Sequence, residues 1–143
     1  MNAVSPSLNL YNREWPLRTA SYADPPAKFT FDDEDRRGHA IDSIVSGGCI
    51  VSGSHLANTV LFSQVRIQSF CNIESAVILP AVTIERNCRL KNVVIDRGCH
   101  LPEGLVVGED PALDAARFER SEGGVALMLG MMPGGITEQC LTA

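Results

Sequence analysis

The sequence has no run of about 18 apolar residues, the length a helix needs to cross a bilayer, so nothing in it is expected to span a membrane. Its N-terminal MNAVSPSLNLYNREW lacks the apolar centre of a secretory signal, and a cytoplasmic protein is expected. It has no basic run, and its formal net charge is −5, which argues against a nucleic-acid surface. None of its five cysteines forms C-x-x-C with another, so no metal site is expected. G-x-G-x-x-G, the P-loop, G-x-S-x-G and H-E-x-x-H are all absent. The carboxylates show no catalytic pairing. Histidine is scarce: His39, His55 and His100 complete the set. No catalytic residue is assigned.

What is present is a repeat. From Ile44 to Val107, apolar residues recur in steps of six, six and five, a period of 17 residues. Ile44, Leu61, Ile78 and Ile95 share one phase. Ile50, Ile67, Ile84 and Leu101 share a second, and Leu56, Ile73, Leu90 and Val107 a third. Neither a helix, with its period of about 3.6, nor a lone alternating strand has that spacing. A parallel β-helix of hexapeptide repeats does, with three short strands to each triangular coil. Its inward side chains stack from coil to coil at roughly 4.8 Å. An ordinary sandwich of short buried strands is the alternative, and it has no reason to keep this register. Gly48, Ser54, Val65, Cys71, Val82, Cys88 and Cys99 lie four residues after an anchor, where a tight corner needs a small inward group.

A length of 143 residues with 45% hydrophobic and 20% charged residues suits one globular domain. Residues 1–40 read as an irregular arm broken by Pro6, Pro16, Pro25 and Pro26, with a charged loop from Asp32 to Arg37. Tyr11, Trp15 and Phe29 in it need a surface to pack on. Residues 41–108 hold four coils. Residues 109–143 begin with an Asp110 cap and Pro111, then a helix from Ala112 to Arg120 with Leu113, Ala116 and Phe118 as its apolar members. That helix is expected to cover the open end of the stack. Gly124 ends it, Val125 to Leu129 reads as a strand, and residues 130–143 as a loose tail.

The period also places outward residues. Glu74 and Lys91 should pair across coils, and Asn58, Ser75 and Asn92 should share a bend. Cys71 and Cys88, 17 residues apart, should stack as buried, reduced thiols. His100 should face outward, as a rim general base or as a solvated side chain.

Five strings resemble a known family: YNREWPLRT at 11–19, PPAKF at 25–29, SIVSGGCIVSGS at 43–54, NTVLFSQVRIQSFCNIESAVILP at 58–80 and CRLKNVVIDRGCHLPEGLVVGED at 88–110. Together they resemble the C-terminal domain of bacterial ADP-glucose pyrophosphorylases, the glucose-1-phosphate adenylyltransferases. The resemblance implies a mainly β fold: a left-handed parallel β-helix of 17-residue coils with an irregular N-terminal arm and a C-terminal capping helix. It implies a regulatory and oligomerising role in making ADP-glucose from ATP and glucose 1-phosphate for glycogen synthesis. Catalysis in that family, and its magnesium, belong to an N-terminal nucleotidyltransferase domain whose glycine-rich opening is not found here. The chain alone is therefore expected to be inactive and to carry no cofactor. Expected partners are other copies of itself, the catalytic domain and AMP. The V-I-D-R segment places an AMP contact at Arg97. Residues 130–143 carry no Lys, Arg or His, so a sugar-phosphate activator site there should be weak. The alternatives are a free-standing acyltransferase-like trimer using acetyl-CoA, and a scaffold without a ligand.

Overall fold

The computed structural model describes residues 23–30 and 37–129. Tyr11, Trp15, the loop at 32–36, the tail at 130–143 and Cys140 lie outside the described residues. The strands are β1 (Lys28–Thr30), β2 (His39–Ile41), β3 (Ile44–Val45), β4 (Ile50–Ser52), β5 (His55–Ala57), β6 (Val60–Leu61) and β7 (Arg66–Ile67). They continue as β8 (Asn72–Ile78), β9 (Thr83–Ile84), β10 (Arg89–Ile95), β11 (His100–Leu101) and β12 (Val106–Val107). The helix α1 (Pro111–Arg117), β13 (Glu119–Arg120) and β14 (Ala126–Met128) complete the order.

These short strands wind into a parallel solenoid with three faces. One face stacks β1, β4, β7, β9 and β11. The second stacks β2, β5, the first half of β8, the first half of β10, and β12. The third stacks β3, β6, the second halves of β8 and β10, and β14. Corners form where the backbone turns left-handed. Asn58, Ser75 and Asn92 have φ of 51, 52 and 51° on one ridge, where short polar residues were expected. Ser75 and Asn92 bend β8 and β10 in mid-strand, so both halves stay paired. A second ridge carries Gly48, Gln64, Ala81 and Gly98, and a third Gly53, Phe70, Asn87 and Gly104, all with positive φ.

The core is the predicted set of inward columns with two corrections. Leu61, Ile78 and Ile95 are fully buried, as are Ile67, Ile84, Leu101, Leu56, Ile73, Leu90 and Val107 to within a few per cent. In the first coil, however, Val45 rather than Ile44 pairs with Leu61, and Val51 rather than Ile50 pairs with Ile67. Val51 is 0% exposed, whereas Ile44 and Ile50 face outward and are half-buried. The cause is a coil one residue shorter. Val51 to Leu56 spans five residues where Ile67 to Ile73 spans six, yet both ends are in register. The same shift makes Cys49, not Gly48, the inward corner group.

The corner residues do more than save space. Cys49, Cys71 and Cys88 donate from Sγ to the carbonyls of Phe62 (2.9 Å), Glu85 (3.0 Å) and Pro102 (3.2 Å). Ser54 and Thr59 donate in the same way to Gln68 and Ile73. A thiol or hydroxyl thus donates to a carbonyl of the next coil at each of these positions.

Both ends differ from expectation. β1 and the first two residues of β2 lie in the stretch read as irregular, and these strands form a leading layer on β4 and β5. At the other end α1 is shorter than predicted, and Glu119–Arg120 is a strand. Leu113 is 59% exposed and Ala116 exposed, while Asp114 is 3% exposed; of the three apolar residues expected to pack, only Phe118, at the C-cap, lies against the core. The edge of β10 at Val93–Ile95 is closed by β14, which buries Ala126 and Met128.

Candidate functional site

Inward positions are committed to packing, so chemistry must come from ridges, outward faces and ends. Arg97 sits on the ridge that follows β10. The Asp96 N–H donates to Met128 O (2.8 Å), and the Gly98 N–H to Pro80 O (3.0 Å). The Asp96 carboxylate accepts the backbone N–H of Arg97 at 2.7 Å. The backbone is thus held on both sides while the side chain is exposed and, among the described residues, makes no ion pair. A guanidinium so placed can fork onto a phosphate or stack on a purine.

Other candidates resolve as follows. The side chain of His100 faces outward, 65% exposed, and its Nε2 lies 3.0 Å from Glu85 Oε1, a partner that the sequence did not reveal. Glu74 and Lys91 pair at 3.5 Å, in register as expected. Cys71 and Cys88 are buried free thiols. Contact with Cys88 draws the Cys71 thiol down to about 7 against the upward pull of burial. Contact with Cys71, reinforced by burial, pushes Cys88 far above the ordinary thiol range. Burial raises Cys49. A cleft of about 520 Å³ lies between the last corner and α1, lined by Leu105, Val106, Leu113, Glu103, Glu109 and Arg117 among others. Carboxylates outnumber its one cation, so it is a poor place for a phosphate.

An outward column runs down the third face. Ile44, Val60, Val77, Val94 and Leu127 are in register, and all are half-buried. Phe62, one residue past Leu61, is 41% exposed. A sheet face that points five aliphatic side chains outward is built to be covered.

One pair was missed altogether. His39 and His55 stack in adjacent layers with ring centroids 4.4 Å apart. Their spacing of 16 residues escapes a search at 17, and it is the spacing of the short first coil.

The pattern of the GlmU-like, C-terminal hexapeptide family matches residues 25–128. The chain belongs to that family. Among its relatives, a glucose-1-phosphate adenylyltransferase of Rhizobium rhizogenes is 52% identical over 132 residues, covering 92% of this chain and 31% of the relative. One from Paramagnetospirillum magneticum is 56% identical over 128 residues, 90% of this chain and 30% of its own length. One from Rhodopseudomonas palustris is 58% identical over 125 residues, 87% and 30%. The chain thus spans about three-tenths of the curated relatives it matches. In this hexapeptide family member, the matched residues take in all three faces and the Arg97 ridge. Among the described residues, no helix is long and apolar enough to cross a membrane.

Proposed function

We propose that this chain is a non-catalytic β-helix that regulates and assembles a glucose-1-phosphate adenylyltransferase in the cytoplasm. The observation that carries the reading is the match itself. Identities of 52–58% over about nine-tenths of the chain fall on a solenoid whose inward positions are occupied by packing. In this reading, ADP-glucose formation and its magnesium belong to a nucleotidyltransferase domain, and the apolar column on the third face is where subunits or domains meet. The His100–Glu85 contact is the one observation that favours the acyltransferase alternative, and it stands on an open, exposed face. The test is to assay the chain alone, then joined to the nucleotidyltransferase portion of the Rhizobium rhizogenes relative. ADP-glucose should form only in the joined protein. Acyl transfer from acetyl-CoA by the chain alone would overturn the reading.

Arg97 is the proposed contact for AMP as an inhibitor. Its guanidinium is exposed on a backbone held by Met128 and Pro80, so it can meet a nucleotide bound largely by another domain or subunit. Arg97→Ala in the joined enzyme should weaken AMP inhibition about 10-fold, the loss of roughly 1.4 kcal/mol of a charge-assisted contact. Turnover without AMP should be unchanged. Residues 130–143 should add nothing to sugar-phosphate binding, which their deletion would check.

A further inference from the structure

The histidine pair at the leading end is the strongest unassigned cluster on the molecule. His39 on β2 and His55 on β5 are partners in register. His39 Nε2 and His55 Nδ1 face each other at 2.5 Å, with the ring planes at 56°. The tautomer of neutral His39 follows from its other nitrogen. Nδ1 lies 3.2 Å from the carbonyl oxygen of Arg37, which can only accept, so Nδ1 carries the hydrogen and Nε2 the lone pair. A ring that donates one N–H to a backbone carbonyl and presents the other nitrogen bare is oriented as metal-ligating histidines are. Directly in register with His55 is Asn72, whose side-chain oxygen is buried with no hydrogen-bond partner. An acceptor in want of a donor thus belongs to the residue in register with the ring that must move its hydrogen from Nδ1 to Nε2 for metal to bind.

We propose that His39 Nε2 and His55 Nδ1 form a two-histidine site for a divalent transition ion of the zinc, nickel or copper class. Imidazole nitrogen suits these ions, and carboxylate-preferring magnesium and calcium are excluded by the absence of oxygen charge in the pair. Two tetrahedral Zn–N bonds of about 2.0–2.1 Å put the nitrogens about 3.3 Å apart. The rings need to part by less than about 1 Å, a side-chain adjustment at a partly exposed position. Among the described residues no third histidine, cysteine or carboxylate joins the pair. The site joins β2, the outermost strand of its stack, to β5. An ion bound there by the folded chain alone must stabilise that edge.

The test uses the full chain without a histidine tag. Zinc titration should raise the melting temperature and saturate at one ion per chain. His39→Ala and His55→Ala should each remove the rise, and His100→Ala should keep it. In the unaltered chain, substoichiometric nickel should broaden the imidazole resonances of His39 and His55 and spare those of His100, a reading that needs no variant to fold. Zinc should also slow amide exchange at Ala40 and Ile41. No binding at millimolar zinc, or a rise that survives His39→Ala, would overturn the site.

Discussion

Gly108 shows how far a single residue can be constrained by the coil stack. Its φ is +91°, and a Cβ there would lie 1.9 Å from the carbonyl oxygen of Lys91. That atom is backbone in the seven-residue strand β10, so it cannot swing aside. Left-handed strain alone costs a bulky residue about 1–3 kcal/mol, and the clash adds to it. Gly108→Ala should therefore destabilise the chain by at least about 2 kcal/mol, read as a lower denaturation midpoint at unchanged slope. Gly104→Ala is the control. It has a similar φ of +75° with nothing within 4 Å, so it should cost only the strain. Ser75 and Asn92 already hold left-handed corners without glycine, at exposed positions.

At the scale of the element, legibility followed length of repetition. The second to fourth coils keep a period of 17, and every one of their nine inward anchors was readable from spacing alone. The first coil was misread because Ile44-Val45 and Ile50-Val51 are each two aliphatics side by side, and hydrophobicity cannot choose between them. The choice needed the register: Ile50 lies opposite Arg66 and Val51 opposite Ile67, an offset of 16 residues that a period of 17 hides. The missed histidine pair follows from the same shortened coil. The helix α1 was legible at its start and not in its packing. Asp110 caps it, with Oδ1 accepting from the N–H groups of Ala112 (2.9 Å) and Leu113 (3.4 Å). Yet the residue it buries is Asp114, whose Oδ2 accepts the N–H of Gly108 at 2.8 Å. No pattern of apolar residues announces a helix anchored by a carboxylate. Asp110→Ala should cost about 1 kcal/mol as a lost cap. Asp114→Ala should cost more, about 2 kcal/mol, because it also leaves the Gly108 N–H without its charged partner. Equilibrium unfolding of the two variants ranks them, and equal losses would mean that the Gly108 contact adds nothing.

For the whole molecule, the question is what covers the third face. A solenoid removes lateral sheet edges by winding, and its ends are handled separately here. β13 pairs antiparallel to β14, laying Glu119 opposite Leu127 and Arg120 opposite Ala126, which charges the edge of the last layer. No such device protects the face itself, where Val60, Val77 and Val94 stand outward in one line between Ile44 and Leu127. On a monomer this line would meet water. On an assembly it buries aliphatic area at about 25 cal/mol per Å². Val77 is its midpoint, paired on both sides, and its side chain is not among the buried core residues. A lysine there should thus leave the fold intact while placing a charge at the centre of the contact. If two copies meet across this face, a two-fold arrangement brings the two lysines together, and like charges so juxtaposed cost several kcal/mol. Light scattering should show that the chain self-associates and that Val77→Lys weakens the association at least about 10-fold, the equivalent of 1.4 kcal/mol. Its melting temperature in the dilute, dissociated state should match that of the parent. Glu103→Lys, at an exposed corner away from this column, should leave association unchanged. Should Val77→Lys associate as tightly as the parent, copies of the chain would have to meet elsewhere, and this column would be left to a domain of different sequence.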